Sequence, residues 1–378
     1  MKKFASIIVI LSAFICILTS CGGGNQQSSQ VVGDTIKLKY AELLTIVKYK
    51  GYASVEITNP WNKKEKLHKY ILKEKHQSAD NLPEGTIIDI PLTHSIPFTS
   101  VHTSLLIALD KHESIAGVAD RKYIKIPYIQ NQCAKGIISD VGSAYSPDIE
   151  KIITLSPDAL LISPFENNGG YGRVSELGIP IIECADYMET SALGRAEWMK
   201  FYGMLYGASG KADSLFAVVD SSYNRIKNVA SECIERRSVI MDKKTGSVWY
   251  VPGGKSTIGM LLSDANAIYP FSYDTNSGSL SLPFETVLEK AGQSDVWLFR
   301  YDSSEPITYK KLLSEFHGYS EIRAFKEQNC YGCNVETSLF YEESPFRPDY
   351  HLNDIVKILY PEIEGLDSIR YYKSVKTE

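Results

Sequence analysis

The chain has little of what identifies many enzymes, metal proteins and nucleic-acid-binding proteins. It contains only 7 His residues, which are scattered and form no His-rich loop, so a zinc or manganese site is disfavoured. It contains no G-x-S-x-G, H-E-x-x-H or phosphate-loop motif, and no nucleophile and base can be paired from their spacing. The net charge of −5 lacks the basic excess that a general nucleic-acid-binding surface needs.

Long apolar runs are also scarce, and the prominent one is at the N-terminus. Phe4–Leu18 follows two lysines and is too short for a membrane-spanning helix, which is typical of a signal peptide. Its end, Leu18-Thr19-Ser20-Cys21-Gly22, resembles a bacterial lipobox, in which Cys21 becomes the acylated N-terminus. The alternative is an ordinary signal peptide with an incidental cysteine.

The residues after Cys21 predict how the mature chain is held. Residues 22–33 are rich in Gly, Gln and Ser, which favours a flexible tether. We therefore expect a lipoprotein signal peptide over residues 1–21 and a protein held by its lipid alone at a membrane facing the periplasm. The sequence does not say which membrane holds the anchor.

Cysteine is too sparse and irregular for a disulfide framework. Apart from the signal peptide and the anchor, the cysteines number five, and an odd number cannot all pair within one chain. Cys330-Tyr-Gly-Cys333 has the spacing of a redox or zinc motif, but no second pair accompanies it. We therefore expect these two cysteines to be incidental or loosely bridged, with no metal site.

The first part of the mature chain predicts an antiparallel β meander over residues 35–75. Four β-rich runs are separated by turn signals such as Lys50-Gly51 and Asn59-Pro60. The predicted strands are Thr35–Tyr40, Leu43–Tyr49, Ala53–Thr58 and His68–Lys73.

A helix followed by a buried strand begins at Ser146. Ser146 suits an N-cap, Pro147 suits the first helical position, and apolar residues then recur at helical spacing. Ala159–Ile162 is an apolar run short enough for a buried strand of a parallel sheet. Glu150 falls on the polar side of this helix, where a solvated glutamate is the simplest interpretation.

The same unit returns later in the chain, which predicts two lobes built alike. Pro283 opens a short helix that carries Glu285, and Asp295 then introduces the apolar strand Val296–Phe299. Strands alternate with helices around both units, which favours parallel or mixed sheets. We expect an α/β fold with an N-terminal lobe over residues 34–210, a long connecting helix over 211–232 and a C-terminal lobe over 233–378.

These motifs and their order resemble a known family. Asp148-Ile149-Glu150-Lys151-Ile152 with Leu155-Ser156-Pro157-Asp158-Ala159-Leu160-Leu161-Ile162 is similar to the signature of solute-binding proteins that serve type II ABC importers of iron-siderophores, haem and cobalamin. Phe284–Leu288 with Asp295–Leu298 resembles the matching unit of the second lobe. Phe346-Arg347-Pro348-Asp349 and the residues up to Glu362 resemble the closing helix of the family.

The resemblance implies a fold and a partner. It implies two α/β lobes joined by one rigid spine helix, with the ligand in the cleft between the lobes. It also implies that one glutamate on each lobe docks into arginine pockets of a permease dimer. By motif position these are Glu150 and Glu285, with Glu289 as the alternative to Glu285 because the register differs by two residues.

The resemblance also directs the search for ligand-binding residues to loops that follow strands. Aromatic walls and an arginine are expected around a metal chelate, with core packing as the alternative for each aromatic residue and a surface salt bridge as the alternative for Arg300. His94 and His102 are weaker candidates for axial haem ligands. The expected cleft residues are Phe165, Asn167 and Tyr171 in the first lobe and Trp249, Tyr250, Arg300 and Tyr301 in the second.

The function expected from the sequence is capture of a ferric-siderophore and its delivery to an ABC importer. Cobalamin and haem are the alternative ligands, and the sequence does not choose among them. A chelatase-like enzyme or a zinc- or manganese-binding protein of similar two-lobed architecture are the alternatives from other classes. No catalytic residue, resident cofactor or nucleic acid is expected, and the protein is expected to be a monomer whose ligand carries iron or cobalt.

Overall fold

The computed structural model describes residues 33–75, 82–166 and 170–377. The expected signal peptide, the anchor Cys21, nearly all of the tether and Asn167 lie outside the described residues. Among the described residues, no helix has both the length and the apolar character needed to cross a bilayer.

The N-terminal segment forms a five-stranded sheet, which confirms the meander. Successive strands are neighbours, antiparallel from β1 to β4, whereas β5 runs parallel to β4. The apolar run of β5 suggests a buried strand, but β5 is an edge strand in which only Ile88 is buried. The strands are β1 (Asp34–Ile36), β2 (Leu44–Tyr49), β3 (Tyr52–Thr58), β4 (Lys66–Glu74) and β5 (Thr86–Ile90).

The N-terminal lobe is built on a parallel sheet of short strands. Its strands are β6 (Ser95–Pro97), β7 (Gly117–Val118), β8 (Ser139–Asp140), β11 (Ala159–Ile162) and β12 (Ile181–Glu183). In space they run β12-β11-β6-β7-β8, with a bridge between Ser95 and Ile115 joining β6 to β7. The strand order therefore reverses between β6 and β11, the point at which α/β sheets form a crevice at the carboxyl ends of their strands.

The helices of the N-terminal lobe connect these strands. The helix that bears Glu150 begins after Asp148, whose side chain accepts a hydrogen bond from Lys151 N, so Asp148 and not Ser146 is the N-cap. Ser146 and Pro147 instead form β10 (Ser146–Pro147), which pairs with β9 (Gly142–Ser143) in a hairpin. The helices are α1 (Ser100–Ala108), α2 (Pro127–Ala134), α3 (Ile149–Leu155), α4 (Ala192–Glu197) and α5 (Met199–Leu205).

The C-terminal lobe has a second parallel sheet with one antiparallel edge strand. Its order is β13-β17-β18-β19, and a bridge from Ser238 to Ile268 adds a neighbour on the other side of β13. The order reverses between β13 and β17, which forms a second crevice. The lobe contains β13 (Val239–Met241), β17 (Val296–Tyr301), β18 (Cys330–Asn334) and β19 (Tyr372–Ser374), and a small antiparallel sheet of β14 (Lys244–Thr245), β15 (Val248–Pro252) and β16 (Ser279–Leu282).

One long helix, α6 (Ser209–Ser231), connects the two lobes. It is 23 residues long, which corresponds to roughly 35 Å. Its buried side chains recur at helical spacing and pack on α5 and on the last helix of the C-terminal lobe. The C-terminal lobe contains α7 (Thr257–Asp264), α8 (Phe284–Ala291), α9 (Tyr309–Glu315), α10 (Arg323–Lys326), α11 (Phe340–Glu343) and α12 (Pro348–Leu359).

A strap of residues 39–43, between β1 and β2, ties the meander to the lobe and to α6. Glu197 accepts hydrogen bonds from the backbone N–H groups of residues 39, 40 and 41, and Glu189 accepts those of residues 42 and 43. Lys39 and Tyr40 also reach Asp220 on α6, at 2.9 and 2.7 Å. Two buried carboxylates therefore satisfy backbone donors that the sheet leaves unpaired.

Candidate functional site

The carboxyl edges of the two parallel sheets face each other. Lys125, which lies between β7 and β8, reaches the C-terminal lobe after β18: its Nζ is 2.6 Å from Glu336 and its N–H donates to Glu342 at 3.0 Å. Glu189, which follows β12, accepts a hydrogen bond from Thr257 of the C-terminal lobe at 3.3 Å. The two crevices therefore open toward one region between the lobes.

The N-terminal wall of this region contains a buried ionic cluster around Asp186, just after β12. Asp186 Oδ1 accepts hydrogen bonds from His102 Nε2 at 2.9 Å and from Tyr202 Oη at 2.8 Å. Asp186 Oδ2 accepts one from Arg195 Nε at 3.1 Å. The terminal nitrogens of Arg195 make no hydrogen bond to any other described residue, and the Arg195 side chain is 21% exposed.

The cluster around Asp186 carries a net positive charge at neutral pH. Burial alone would lower the pKa of His102, but the neighbouring Cys184 and Asp186 raise it to about 10. Burial alone would raise the pKa of Asp186, but His102 and Arg195 lower it to about 2. At neutral pH the cluster therefore holds two cations and one anion, which favours an anionic ligand.

The C-terminal wall contains a similar pair at the ends of β13 and β17. Arg300 donates from Nε and Nη2 to the two carboxylate oxygens of Asp242, at 2.9 and 2.7 Å. Asp242 has a φ of 59°, a left-handed conformation that asparagine and aspartate adopt more readily than other non-glycine residues. Burial alone would lower the pKa of Arg300, but its hydrogen bonds to Asp242 raise it, so the guanidinium stays charged.

Arg300 is half-buried and keeps one terminal nitrogen available. Asp242 engages Nε and Nη2, and Nη1 has no hydrogen-bond partner among the described residues. Tyr341 lies close enough to influence the pKa of Arg300 and is 48% exposed. Each lobe therefore presents an arginine that is fixed by an aspartate and is still able to donate to a ligand.

The structure separates the predicted aromatic residues into exposed and buried groups. Phe165, after β11, is 53% exposed, and Tyr250 is exposed on β15. Trp249 is fully buried, donates from Nε1 to Met241 O at 2.9 Å and packs against Trp297. Trp249 therefore packs in the core of the C-terminal lobe and presents no surface to a ligand. Of the two interpretations of Trp249, core packing is the one that the structure shows.

The other two predicted tyrosines are partly engaged. Tyr171 donates to Glu183 at 2.5 Å, which fixes the end of β12. Tyr301 lies at the end of β17 and lines a cavity of 560 Å³ whose wall includes Arg370 and Tyr371. In the part of the chain that the structure describes, neither tyrosine forms a hydrogen bond or a cation–π contact with Arg195 or Arg300.

Arg195, Asp186 and Tyr341 were not among the residues predicted from the sequence. A usable signal was present for the aspartate, because Asp186 comes three residues after β12 and Asp242 comes one residue after β13, both strands of parallel sheets. Arg195 had no such signal, since it lies inside a helix and meets Asp186 only through the turn that precedes α4.

The two predicted docking glutamates are exposed at the beginnings of helices. Glu150 lies in the first turn of α3 and Glu285 in the first turn of α8. Each helix runs back from the carboxyl edge of its sheet, so both carboxylates lie near the edge where the cleft opens. Neither has an ion-pair partner among the described residues.

Cysteine and histidine supply no described metal site. In the described part of the chain, no three His, Cys, Asp or Glu side chains converge as a metal site would require. Cys330 and Cys333 are buried free thiols, and burial raises the pKa of each to about 12. Both ring nitrogens of His102 are engaged, by Thr99 and by Asp186, so His102 is not placed as a haem ligand.

The described residues therefore form two α/β lobes with facing crevices, joined by one long helix. A sequence profile with the description "periplasmic binding protein" matches residues 98–336. The chain belongs to the periplasmic binding protein family.

The chain is also similar to individual proteins, and the solved structures among them share its fold. An uncharacterised lipoprotein of Methanocaldococcus jannaschii is 26% identical over 352 residues, which cover 86% of this chain and 82% of the relative. The crystal structure of an ABC-type Fe³⁺-hydroxamate transport system from Saccharomonospora viridis has a TM-score of 0.55 at 20% identity and covers 72% of this chain and 94% of its own. A periplasmic heme binding protein from Pseudomonas aeruginosa has a TM-score of 0.57 at 14% identity, with 76% and 100% coverage.

Proposed function

We propose that the protein is a lipid-anchored periplasmic receptor that captures an anionic ferric-siderophore between its lobes and delivers it to an ABC importer. The observation that supports the ligand class is the pair of aspartate-fixed arginines, Arg195 and Arg300, one on each facing edge. Ferric complexes of siderophores carry hydroxamate, catecholate or carboxylate oxygens, which guanidinium groups bind through charge-assisted hydrogen bonds. The exposed ring of Tyr341 lies close to Arg300, and the exposed ring of Phe165 follows β11 of the N-terminal lobe.

The arginines also explain why both lobes are needed. A ligand that meets Arg195 and Arg300 together is held by charges from two separate sheets, so its release requires the lobes to move apart. The single helix α6 restricts that movement more than flexible strands would. We therefore expect a tight complex and a modest difference between the open and closed forms.

The ligand class is tested by titrating the purified soluble domain, residues 34–378, with ferric hydroxamates, ferric catecholates, haem and cobalamin in a calorimeter. We expect binding of one ferric chelate at a 1:1 ratio. Binding of haem or cobalamin alone would replace the siderophore with one of the alternative ligands, and no response to any of the four would contradict the whole class.

The arginines are tested with the chelate that binds. A charge-assisted hydrogen bond contributes about 1.5–3 kcal/mol, so Arg195→Gln and Arg300→Gln should each weaken binding by roughly 10- to 100-fold. Arg323→Gln is the matched control, because Arg323 pairs with Asp295 at 2.8 Å on the opposite, amino-terminal edge of the C-terminal sheet. Equal affinity in all three variants would place the ligand elsewhere. Thermal unfolding of each variant checks that the lobe is intact.

Delivery is tested with the two exposed glutamates. The double variant Glu150→Ala, Glu285→Ala should bind the ferric chelate as the native protein does and should fail to support its uptake by cells. Glu289→Ala, further along α8, tests the alternative assignment. Loss of chelate binding in the double variant would mean that these carboxylates line the cleft and do not meet a permease.

A further inference from the structure

We infer that Lys125 forms a latch between the lobes, through an ion pair with Glu336 and a backbone hydrogen bond to Glu342. This inference rests on the proposed function, because it assumes that the lobes move apart to admit a ligand. The latch joins protein to protein and needs no ligand. Lys125 is therefore a positioning residue, which sets how far the lobes stand apart before capture.

The two contacts of Lys125 cross from one lobe to the other. Lys125 lies between β7 and β8 of the N-terminal lobe, whereas Glu336 follows β18 and Glu342 belongs to α11 of the C-terminal lobe. The Lys125 ammonium is 2.6 Å from Glu336 Oε2, and the Lys125 N–H donates to Glu342 Oε1 at 3.0 Å. Separation of the lobes at this flank would break both contacts together.

Glu342 is a buried carboxylate that receives a hydrogen bond from the opposite lobe. It is 3% exposed, and burial raises its pKa. The N–H of Lys125 is one of the groups that counteract this rise. A hydrogen bond to a carboxylate is charge-assisted, so the N–H of Lys125 stabilises Glu342 in the arrangement in which the lobes touch.

An apolar contact next to the latch supplies the part of the interface that salt does not screen. Phe346, just after α11, packs edge-on against His102 and Tyr202 of the N-terminal lobe, with ring centres 6.1 and 5.9 Å apart. The side chains of Lys125 and Glu336 are 25% and 40% exposed, so salt screens their attraction. The ion pair is therefore the part of the interface that can be weakened while each lobe stays folded.

A latch of this kind lowers the fraction of molecules that are open to a ligand. An exposed ion pair changes an equilibrium by up to roughly fivefold. Removal of the pair should therefore raise the open fraction of the ligand-free protein by up to that factor. A ligand that binds the open form first must compete with the latch.

The inference is tested by amide hydrogen exchange at single-residue resolution on the full-length lipoprotein, purified in detergent with no ligand added. The N–H of Lys125 bonds across the lobes, so its exchange reports their separation. In Glu336→Gln this amide should exchange roughly two- to fivefold faster. About 0.5 M NaCl should speed its exchange in the native protein and have little effect in the variant. The amides of Ala116 and Trp297, each hydrogen-bonded within one lobe, should keep their rates.

Two further variants make the test specific to the contact between lobes. Lys243→Gln is the matched control, because Lys243 pairs with Glu315 at 2.5 Å inside the C-terminal lobe and these side chains are 20% and 30% exposed. It should leave exchange at Lys125 unchanged. The charge swap Lys125→Glu with Glu336→Lys should restore the native protection of the amide at position 125.

The outcomes separate the latch from ligand capture. Unchanged exchange in Glu336→Gln, or no restoration by the charge swap, would overturn the latch. Faster exchange that extends to Ala116 and Trp297, or that Lys243→Gln reproduces, would indicate general destabilisation and would overturn it as well. None of these results depends on the calorimetric screen, so failure of the latch leaves ligand capture standing. A negative screen would contradict the ligand class without altering the exchange rates.

Discussion

The buried ion pair between His102 and Asp186 gives the sharpest test of the structure. His102 and Asp186 are nearly inaccessible to solvent, and their contact is 2.9 Å long. In His102→Leu the apolar volume is roughly kept, but Asp186 loses one of its two cationic partners. Arg195 and Tyr202 remain to satisfy the carboxylate, so we expect a folded but destabilised protein.

The expected loss follows from the raised pKa of His102. Each pKa unit corresponds to about 1.4 kcal/mol, so a folded-state pKa of about 10 against 6.5 in the unfolded chain stabilises the native state by about 4 kcal/mol at pH 7. The lowered pKa of Asp186 describes the same interaction, so the two contributions are not added. The figure agrees with the roughly 3–5 kcal/mol lost when one partner of a buried ion pair is removed.

The sign of the pH dependence makes the test specific. Because the pKa of His102 is raised on folding, its stabilisation is fully present below pH 6.5 and is lost as the pH rises toward 10. Urea unfolding at intervals from pH 6 to pH 10 should therefore show the native and His102→Leu proteins converging as the pH rises.

A second buried histidine supplies the control, with the opposite sign. Burial lowers the pKa of His351 to about 3, so its neutral ring contributes to the stability of the native state above pH 6.5. That contribution to stability is lost as the pH falls from 6.5 toward 3. His351→Asn should therefore change the acid limb of the stability curve and leave the alkaline limb as it is in the native protein. A difference of less than 1 kcal/mol between native and His102→Leu proteins at pH 7, or a constant difference up to pH 10, would refute the ion pair.

Three further predictions test the strap, a close backbone approach and the thiols. Glu197→Gln should lower the free energy of unfolding by about 1–3 kcal/mol and speed proteolysis within residues 39–43, because the carboxylate accepts three backbone N–H groups; unchanged proteolysis would argue against the strap. Gly259→Ala should destabilise the protein by about 1–3 kcal/mol, since a Cβ at this position would stand 2.2 Å from Gly253 O. Gly210→Ala, with open space around its Cβ, should be neutral or stabilising. Equal melting temperatures for the two variants would contradict this prediction. Cys330 and Cys333 should resist iodoacetamide at pH 8 in the native protein, because burial raises the pKa of each to about 12, and mass spectrometry showing their early alkylation would contradict their burial.

Local pattern was sufficient for the α/β units because a helix or strand is coded by the spacing of its own apolar residues. The repeated unit at Ser146–Ile162 and Pro283–Phe299 was visible in this way, and its repetition along the chain predicted two lobes built alike. It was harder to predict which of two nearby residues would cap a helix. Ser146 and Asp148 both suit an N-cap, and the hairpin that uses Ser146 decides for Asp148.

Burial of individual aromatics could not be predicted from spacing. Trp249 and Tyr250 are neighbours in β15 and therefore point to opposite faces of the strand. The sequence says that one of them faces the core but not which one, since that depends on the packing of Phe284 and Trp297 against the sheet. The structure assigns the core to Trp249 and the surface to Tyr250.

The sequence by itself determined the class of fold, the order of its elements and the positions of Glu150 and Glu285 at the beginnings of helices. Each of these depends on residues that lie close together in the chain. Only the tertiary structure decided which charged side chains pair at the ends of the strands. Arg195 meets Asp186 across 9 residues, and Arg300 meets Asp242 across 58, and neither pair has a local pattern. The physical reason is that charge pairs form wherever the sheets bring two strand ends together, and that juxtaposition exists only after folding.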